Sequence, residues 1–504
     1  MTKISIQKIP VIALILVGVV TSDTSLAADE LPPPNDRVEP GTDATTLFEN
    51  AWEYYSARAY QDAALHFWRF LDAKGHKQRG GDYDRAIYYL AESLYQLNFI
   101  YAATYYFFDI AKNRTHPDLI PRALARLEQI SRKHPINEGL VYRDLLVSED
   151  MGDLPEPTKS WTHYVQGRIN FQDGYSRWAK FHFSTIHIES DYYSWSQYIY
   201  AVYKLSKNLD KEALEMLTSI AEATGKPQEP KNLALFALAR LAYDNKDYQG
   251  AMAHYDKISV IEQSHEQAEL LLEKAWTAYQ LHQVPKALGF LHSLGAPSYN
   301  DYFLPDRYIL EATILKEWCH FTSAKSVLET FYERFGEAFS QLERREPLYK
   351  IYPILSAAAQ NAVVSKTMRY LHLLYTENNT LKTSTVGWRE DGLGKQLTTL
   401  YTLEIQNMGH QFHIKFSDIA PLVAKLLLDA EEQIRLLRYD IEVDANKRFQ
   451  SYAFIQHSIS TASQPSGNKP PQIIYPFVKE YWNDELHTYD YQIKNICNGE
   501  SESP

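Results

Sequence analysis

Seven times along this chain a small residue is followed, twelve positions later, by an alanine: Ala51/Ala63, Ala91/Ala103, Gly167/Ala179, Ala201/Ala213, Ala239/Ala251, Ala275/Ala287 and Ala312/Ala324. Four residues beyond the second member stands a large apolar residue every time (Phe67, Phe107, Phe183, Leu217, Tyr255, Leu291, Leu328). Seven beyond stands another (Phe70, Ile110, Ile186, Ile220, Ile258, Leu294, Phe331). Hydrophobic residues make up 45% of the chain, so filling all fourteen slots is not a matter of composition. The spacing predicts helical hairpins. The first small residue lets two helices approach, the second sits at their crossing, and the two apolar positions share its face at helical spacing. A short polar turn, such as Asp244–Asp247, separates the helices. The successive second alanines lie 40, 76, 34, 38, 36 and 37 residues apart. The double interval predicts one degenerate hairpin near Leu119–Ser148.

The pattern resembles the tetratricopeptide repeat (TPR), most closely in LARLAYDNKDYQGAMAHYDKI (Leu238–Ile258) and EATILKEWCHFTSAKSVLETF (Glu311–Phe331). The periods are long for that family, and its closing proline is absent from the usual place. The resemblance implies an all-α, TPR-type right-handed α-solenoid over residues 45–336, with a C-terminal helical extension over 337–457. In that extension Gln396–Met408 reads as one helix and residues 420–449 as a long second one with an apolar stripe. Residues 458–471 read as a Ser/Pro/Gly linker and 472–504 as an aromatic tail. Glu431–Arg438 and Tyr475–Leu486, with Cys497, resemble the end of bacterial envelope TPR proteins of the adventurous-gliding-motility type. The tail aromatics Tyr481 and Trp482 suit either a cap on the last hairpin or a partner-binding peptide.

Met1–Ala27 reads as a secretory signal. Lys3 and Lys8 precede the apolar run Ile9–Val20, and Ser25 and Ala27 stand where a signal peptidase requires small residues. No cysteine precedes Cys319, which excludes a lipoprotein anchor at the cleavage site. Residues 28–44 read as a Pro-rich leader, and no later apolar stretch approaches the roughly 18 residues of a membrane span. The expected location is the periplasm. A net charge of −12 argues against nucleic-acid partners, which require basic stripes.

Motifs for chemistry are scarce. His182 and His187 are five apart, off the four-residue spacing that aligns two ligands on a helix. His410 and His413 could share a face, but no acid or cysteine is spaced beside them. No HExxH, GxSxG or Gly-rich phosphate loop occurs. Cys319, beside Trp318, reads as a small buried hydrophobe, and whether it bridges Cys497 is open. No cofactor, metal or catalytic residue is expected. What remains is the inner wall of the repeat array. Positions one and four after each first small residue should line it: Trp52/Tyr55, Arg168/Phe171, Arg240/Tyr243 and Trp276/Tyr279 are the candidates for partner contact. The aromatics at these positions would equally suit packing between successive repeats. The resemblance therefore implies a non-catalytic protein- or peptide-binding scaffold of a bacterial envelope complex. Alternatives are a cell-wall enzyme or its accessory glycan-binding subunit, and a structural component of a secretion or gliding-motility machine.

Overall fold

The computed structural model describes residues 43–73, 81–137, 145, 154–384, 388, 392–456, 481, 486 and 489–497. The signal and leader up to residue 42, most of the degenerate hairpin's second half, the 458–471 linker and Trp482 lie outside them. Among the described residues there are eighteen α-helices, and helices adjacent in sequence pack as pairs.

The seven hairpins occur in the predicted register. They are α1 (Asp43–Ser56) with α2 (Tyr60–Ala73), α3 (Asp82–Gln96) with α4 (Ile100–Asn113), α6 (Thr158–Gln172) with α7 (Ser176–Thr185), and α8 (Asp191–Ser206) with α9 (Asp210–Glu222). Then follow α10 (Gln228–Asp244) with α11 (Tyr248–Tyr255), α12 (His265–Gln280) with α13 (Val284–Ser293), and α14 (Asp306–Glu317) with α15 (Phe321–Glu343). Helix α5 (Leu119–Lys133) is the first half of the degenerate repeat, and it packs against α4. All seven second alanines are buried, as are their fourteen apolar followers except Ile258, which is half-buried. At Gly167 even a Cβ would collide with the Phe183 ring, so the smallest side chain stands where the largest partner fills the crossing.

One turn serves every hairpin. Seven residues after the first small residue the backbone is left-handed: Arg58, Asn98, Gly174, Asn208, Lys246, His282 and Cys319, with φ between 55° and 90° in each case (57° at Asn208 and His282, 85° at Gly174). The amide of that residue bonds the carbonyl three back, and the next amide bonds five back, as in Lys246 N to Tyr243 O at 2.9 Å and Asp247 N to Ala242 O at 2.9 Å. These two bonds form the Schellman closure that satisfies the helix's last carbonyls. The second helix then starts so that its alanine amide bonds the residue four earlier, as in Ala251 N to Asp247 O at 2.9 Å. The twelve-residue spacing is thus the length of one closure plus the first turn of the return helix.

The chain divides into two compact units, each discontinuous: residues 1–234 with 361–415, and 235–360 with 416–504. This differs from the expected division into an array at 45–336 and a separate region at 337–457. In the first unit the late helices return to the early hairpins. They are α17 (Ala362–Ser384) and the opening of α18 (Leu393–Gln456). Glu377 of α17 caps α4: its carboxylate accepts the amides of Ile100 (3.0 Å) and Tyr101 (3.0 Å), where an N-cap side chain would otherwise serve. Trp388 is buried, meets Phe99 at 5.6 Å with the rings tilted, and donates its indole N–H to the Gln61 carbonyl at 3.1 Å. The expected separate helices at 396–408 and 420–449 are one helix, α18. The buried residues Tyr401, Met408, Phe416, Ala420, Val423, Leu427, Ala430, Ile434 and Ile441 keep one period through Gly409, while Pro421 lies on the exposed side.

The second unit holds α10's later turns to α15, α16 (Tyr352–Gln360), the rest of α18 and the tail. Cys319 is a turn residue rather than a core hydrophobe, and it forms a disulfide with Cys497 across 178 residues. The tail lies along α13 and α14. Tyr491 N donates to Pro285 O at 3.0 Å, His320 Nε2 meets Lys494 O at 2.8 Å, and Leu486 and Ile496 are buried. A Cβ at Gly289 would strike the backbone carbonyl of Tyr489, so the glycine admits the tail.

Candidate functional site

In the first unit the candidate wall residues reach forward to the next hairpin. Trp52 sets its ring edge against Tyr89 at 4.9 Å, and Tyr55 meets Tyr89 at 4.9 Å and Tyr60 at 5.7 Å. Burial holds the Tyr55 hydroxyl well above the ordinary tyrosine range. Phe171 packs edge-on against Tyr203 at 4.9 Å. All three aromatics are half-buried, so each offers a partner only the part of its ring that the next repeat leaves uncovered. Arg168 corrects the expectation of an accessible guanidinium: it is 5% exposed. Lys366 and Arg369 of α17 and Lys415 of α18 lie in the same region of the first unit. Burial pushes Arg168 down to about 10. Burial first, then Arg168, Lys415 and Arg369, holds the Lys366 ammonium well below the usual lysine range. Lys415 Nζ donates to the buried Thr367 hydroxyl at 2.8 Å.

In the second unit Arg240 and Trp276 occupy matching positions on α10 and α12, with Tyr243 and Tyr279 one turn on. Arg240 already has two of its three guanidinium nitrogens engaged. Its Nε and Nη2 grip Glu273 at 3.0 and 2.5 Å, and the guanidinium lies over Phe236 at 5.3 Å. Tyr243 packs edge-on against Tyr248 at 5.1 Å, and burial first, then Tyr248, pushes its hydroxyl up to about 12. Tyr279 donates to Glu317 at 2.8 Å and meets the Trp276 ring at 6.3 Å. The result is a band of paired charges and half-buried aromatics: Arg240–Glu273, Tyr243, Trp276, Tyr279–Glu317. Tyr481 lies away from this band. It stacks on His292 of α13 at 5.1 Å, and burial raises its hydroxyl.

Sequence reasoning missed the ion pairs that link repeats. At the wall position of the second hairpin Glu92 is buried, accepts Arg126 Nε at 2.6 Å from α5, and accepts the Tyr88 hydroxyl at 3.0 Å. Glu128 of α5 accepts Arg132 Nε at 2.5 Å and the Tyr192 hydroxyl at 2.7 Å. Arg132 reaches on to Asp191 at 3.2 Å. The separation of Glu92 from Arg126, 34 residues, is one repeat, and opposite charges at that interval were the available signal. Of the histidines, His182 pairs with His163 (Nδ1 to Nδ1, 3.2 Å) rather than His187, and burial first, then His163, pushes it down to about 4. His410 and His413 are exposed on α18. Among the described residues no group of three or more His, Cys, Asp or Glu could hold a metal ion, and no helix is long and apolar enough to cross a membrane.

No protein-family model matches the chain. Among solved structures it is similar to yeast Tom70, with 13% identity, 79% of this chain and 92% of that chain covered, and a TM-score of 0.20. A score that low carries no argument. The helical-repeat fold rests on the seven turns of matching hydrogen bonds and φ and on the crossings described above.

Proposed function

We propose that the chain is a non-catalytic scaffold that binds a protein or peptide on the wall of its helical hairpins. The observation that carries this reading is the band on α10 and α12. Half-buried Trp276, Tyr243 and Tyr279 alternate there with the Arg240–Glu273 pair, a hot-spot composition held on rigid helices. The Glu273 carboxylate already holds Arg240, so the band suits a partner segment with both apolar and mixed polar groups better than a purely acidic one. Met1–Ala27 supports export, and with it a place in a bacterial envelope complex. The test is crosslinking and pull-down from envelope fractions with the wild type and with Trp276→Ala/Tyr279→Ala, each checked by circular dichroism. The reading requires the folded variant to lose partner capture. Full capture by a folded variant removes the wall from consideration. An exported form whose N-terminus lies near Ala28 by mass spectrometry supports the location, and an uncleaved N-terminus in the membrane fraction defeats it.

A further inference from the structure

The second helix of the third hairpin, α7, turns an aromatic face to solvent. Tyr175, Trp178 and Phe181 are 61%, 60% and 55% exposed, and Ile188 beyond the helix end is 59% exposed. Buried Ala179 and Phe183 hold the opposite face in the hairpin core. Spaced three apart, the rings form one side of the outward surface. Arg177 and Lys180, both exposed, form the adjacent side, and the helix itself (SRWAKFHFST) contains no acid. Beside Ile188 a further cation, Lys226, donates to the Ile188 carbonyl at 2.8 Å and lies 3.9 Å from Glu189. In a chain with 63 acidic and 51 basic residues, the helix carries two exposed cations beside its rings, while Asp173 precedes it and Glu189 follows Ile188.

We propose that α7 is a surface-docking element for an anionic lipid bilayer. Three observations favour this occupant. Trp and Tyr rings settle at the headgroup level of a bilayer, where one end is apolar and the other wet, and Lys and Arg beside them meet anionic headgroups. The Trp178 and Phe181 rings stand at 87° to one another, which presents a wedge rather than the flat platform on which a sugar ring stacks. The uncovered apolar area of the four side chains is roughly 400–500 Å². A bilayer takes up an apolar patch of this size without the complementary surface that a protein partner must supply. No described helix can cross a membrane, so the association is peripheral and reversible.

The experiment is co-sedimentation of the full chain with vesicles of phosphatidylcholine alone and of phosphatidylcholine with phosphatidylglycerol, at low and at physiological salt. The expected result is binding to the anionic vesicles, weakened by salt. Arg177→Gln/Lys180→Gln should weaken it about thirtyfold, since each cation near an anionic surface contributes about a fivefold factor. Trp178→Ser/Phe181→Ser should weaken it by at least tenfold. All four side chains are exposed, so circular dichroism should show both variants folded. No sedimentation with anionic vesicles overturns the proposal, as does binding that both folded variants retain. Capture of an acidic protein through these residues, without vesicle binding, would reassign the face to a protein partner and equally overturn it. Loss of vesicle binding in these variants with capture by the α10–α12 band intact separates this proposal from the scaffold reading.

Discussion

Glu377 accepts the Tyr401 hydroxyl at 2.6 Å while the same carboxylate caps α4 through the amides of Ile100 and Tyr101. One side chain thus joins α17, α18 and an N-terminal hairpin within the first unit. It is 3% exposed, and burial outweighs its hydrogen bonds, pushing its carboxyl from 4.5 up to about 7.

That shift makes the clasp sensitive to pH. The folded carboxyl holds its proton up to about 7 and the unfolded one only to about 4.5, so between these values the native state binds more protons and stability falls as pH rises. The stabilisation relative to high pH is full below about 4.5 and lost above about 7, with a total near 3 kcal/mol. Glu377→Gln, whose amide can accept from Ile100 and donate to Tyr401 while giving up the shorter Tyr101 bond, should remove most of this slope. Urea titrations from pH 4.5 to 8 on both proteins give the check. Burial also raises Glu404, so the difference between the two curves, not the wild-type slope alone, measures Glu377.

The shared turn makes an ordered forecast. A non-glycine residue in the left-handed region is strained by about 1 kcal/mol, least for Asn. Gly174→Ala should therefore cost about 1 kcal/mol, and Lys246→Gly should gain up to about 1 kcal/mol. Asn98→Gly and Asn208→Gly should change little. Equilibrium unfolding of the four variants tests the ranking, and a loss on Lys246→Gly would contradict it.

The helix crossings should tolerate no added volume. Gly167→Ala drives a methyl into the buried Phe183 ring, and Ala251→Leu places a branched chain at the crossing of α10 and α11. Each should cost about 1–3 kcal/mol. Thermal melts that show no loss for either would mean that the crossings are looser than the structure places them.

The hairpins were legible because each slot of the repeat is under the same local demand: small at the crossing, large four and seven residues on. The turn was less so. Its left-handed residue is Arg, Asn, Gly, Lys, His or Cys, because the Schellman bonds, made by backbone, fix the conformation whatever the side chain. Arg168 looked like a wall cation because nothing near it in sequence announces its burial, or that Lys366 comes close to it from about two hundred residues later. Glu377 and Trp388 carry no local mark of the contacts they make. Their partners, Ile100 and Gln61, are too distant in sequence for any local pattern to connect. The helix α18 read as two helices, 396–408 and 420–449, yet the buried stripe runs through Gly409 unbroken.

The Cys319–Cys497 bridge closes the longest loop that can be tested directly. Cys319 sits at the left-handed position of the seventh turn, so its side chain leaves the hairpin and meets the tail beyond Ile496. The tail is also held by the Tyr491–Pro285 and His320–Lys494 hydrogen bonds and by the Tyr481–His292 stack, all within the second unit. Cross-linking residues 178 apart removes much conformational freedom from the unfolded chain, so Cys319→Ser/Cys497→Ser should cost about 2–5 kcal/mol. The hairpins should persist, because the packing of Leu486 on the core around Ala275 and Ala287 is apolar and does not depend on the bridge. Two measurements decide this. Alkylation without reductant should leave the wild-type thiols unmodified, and denaturant unfolding should show the loss in stability while helix content at low denaturant stays unchanged. Two alkylated cysteines in protein purified under oxidising conditions would refute the bridge. Collapse of the helix content in the double serine variant would show instead that the tail is part of the folding core of the second unit.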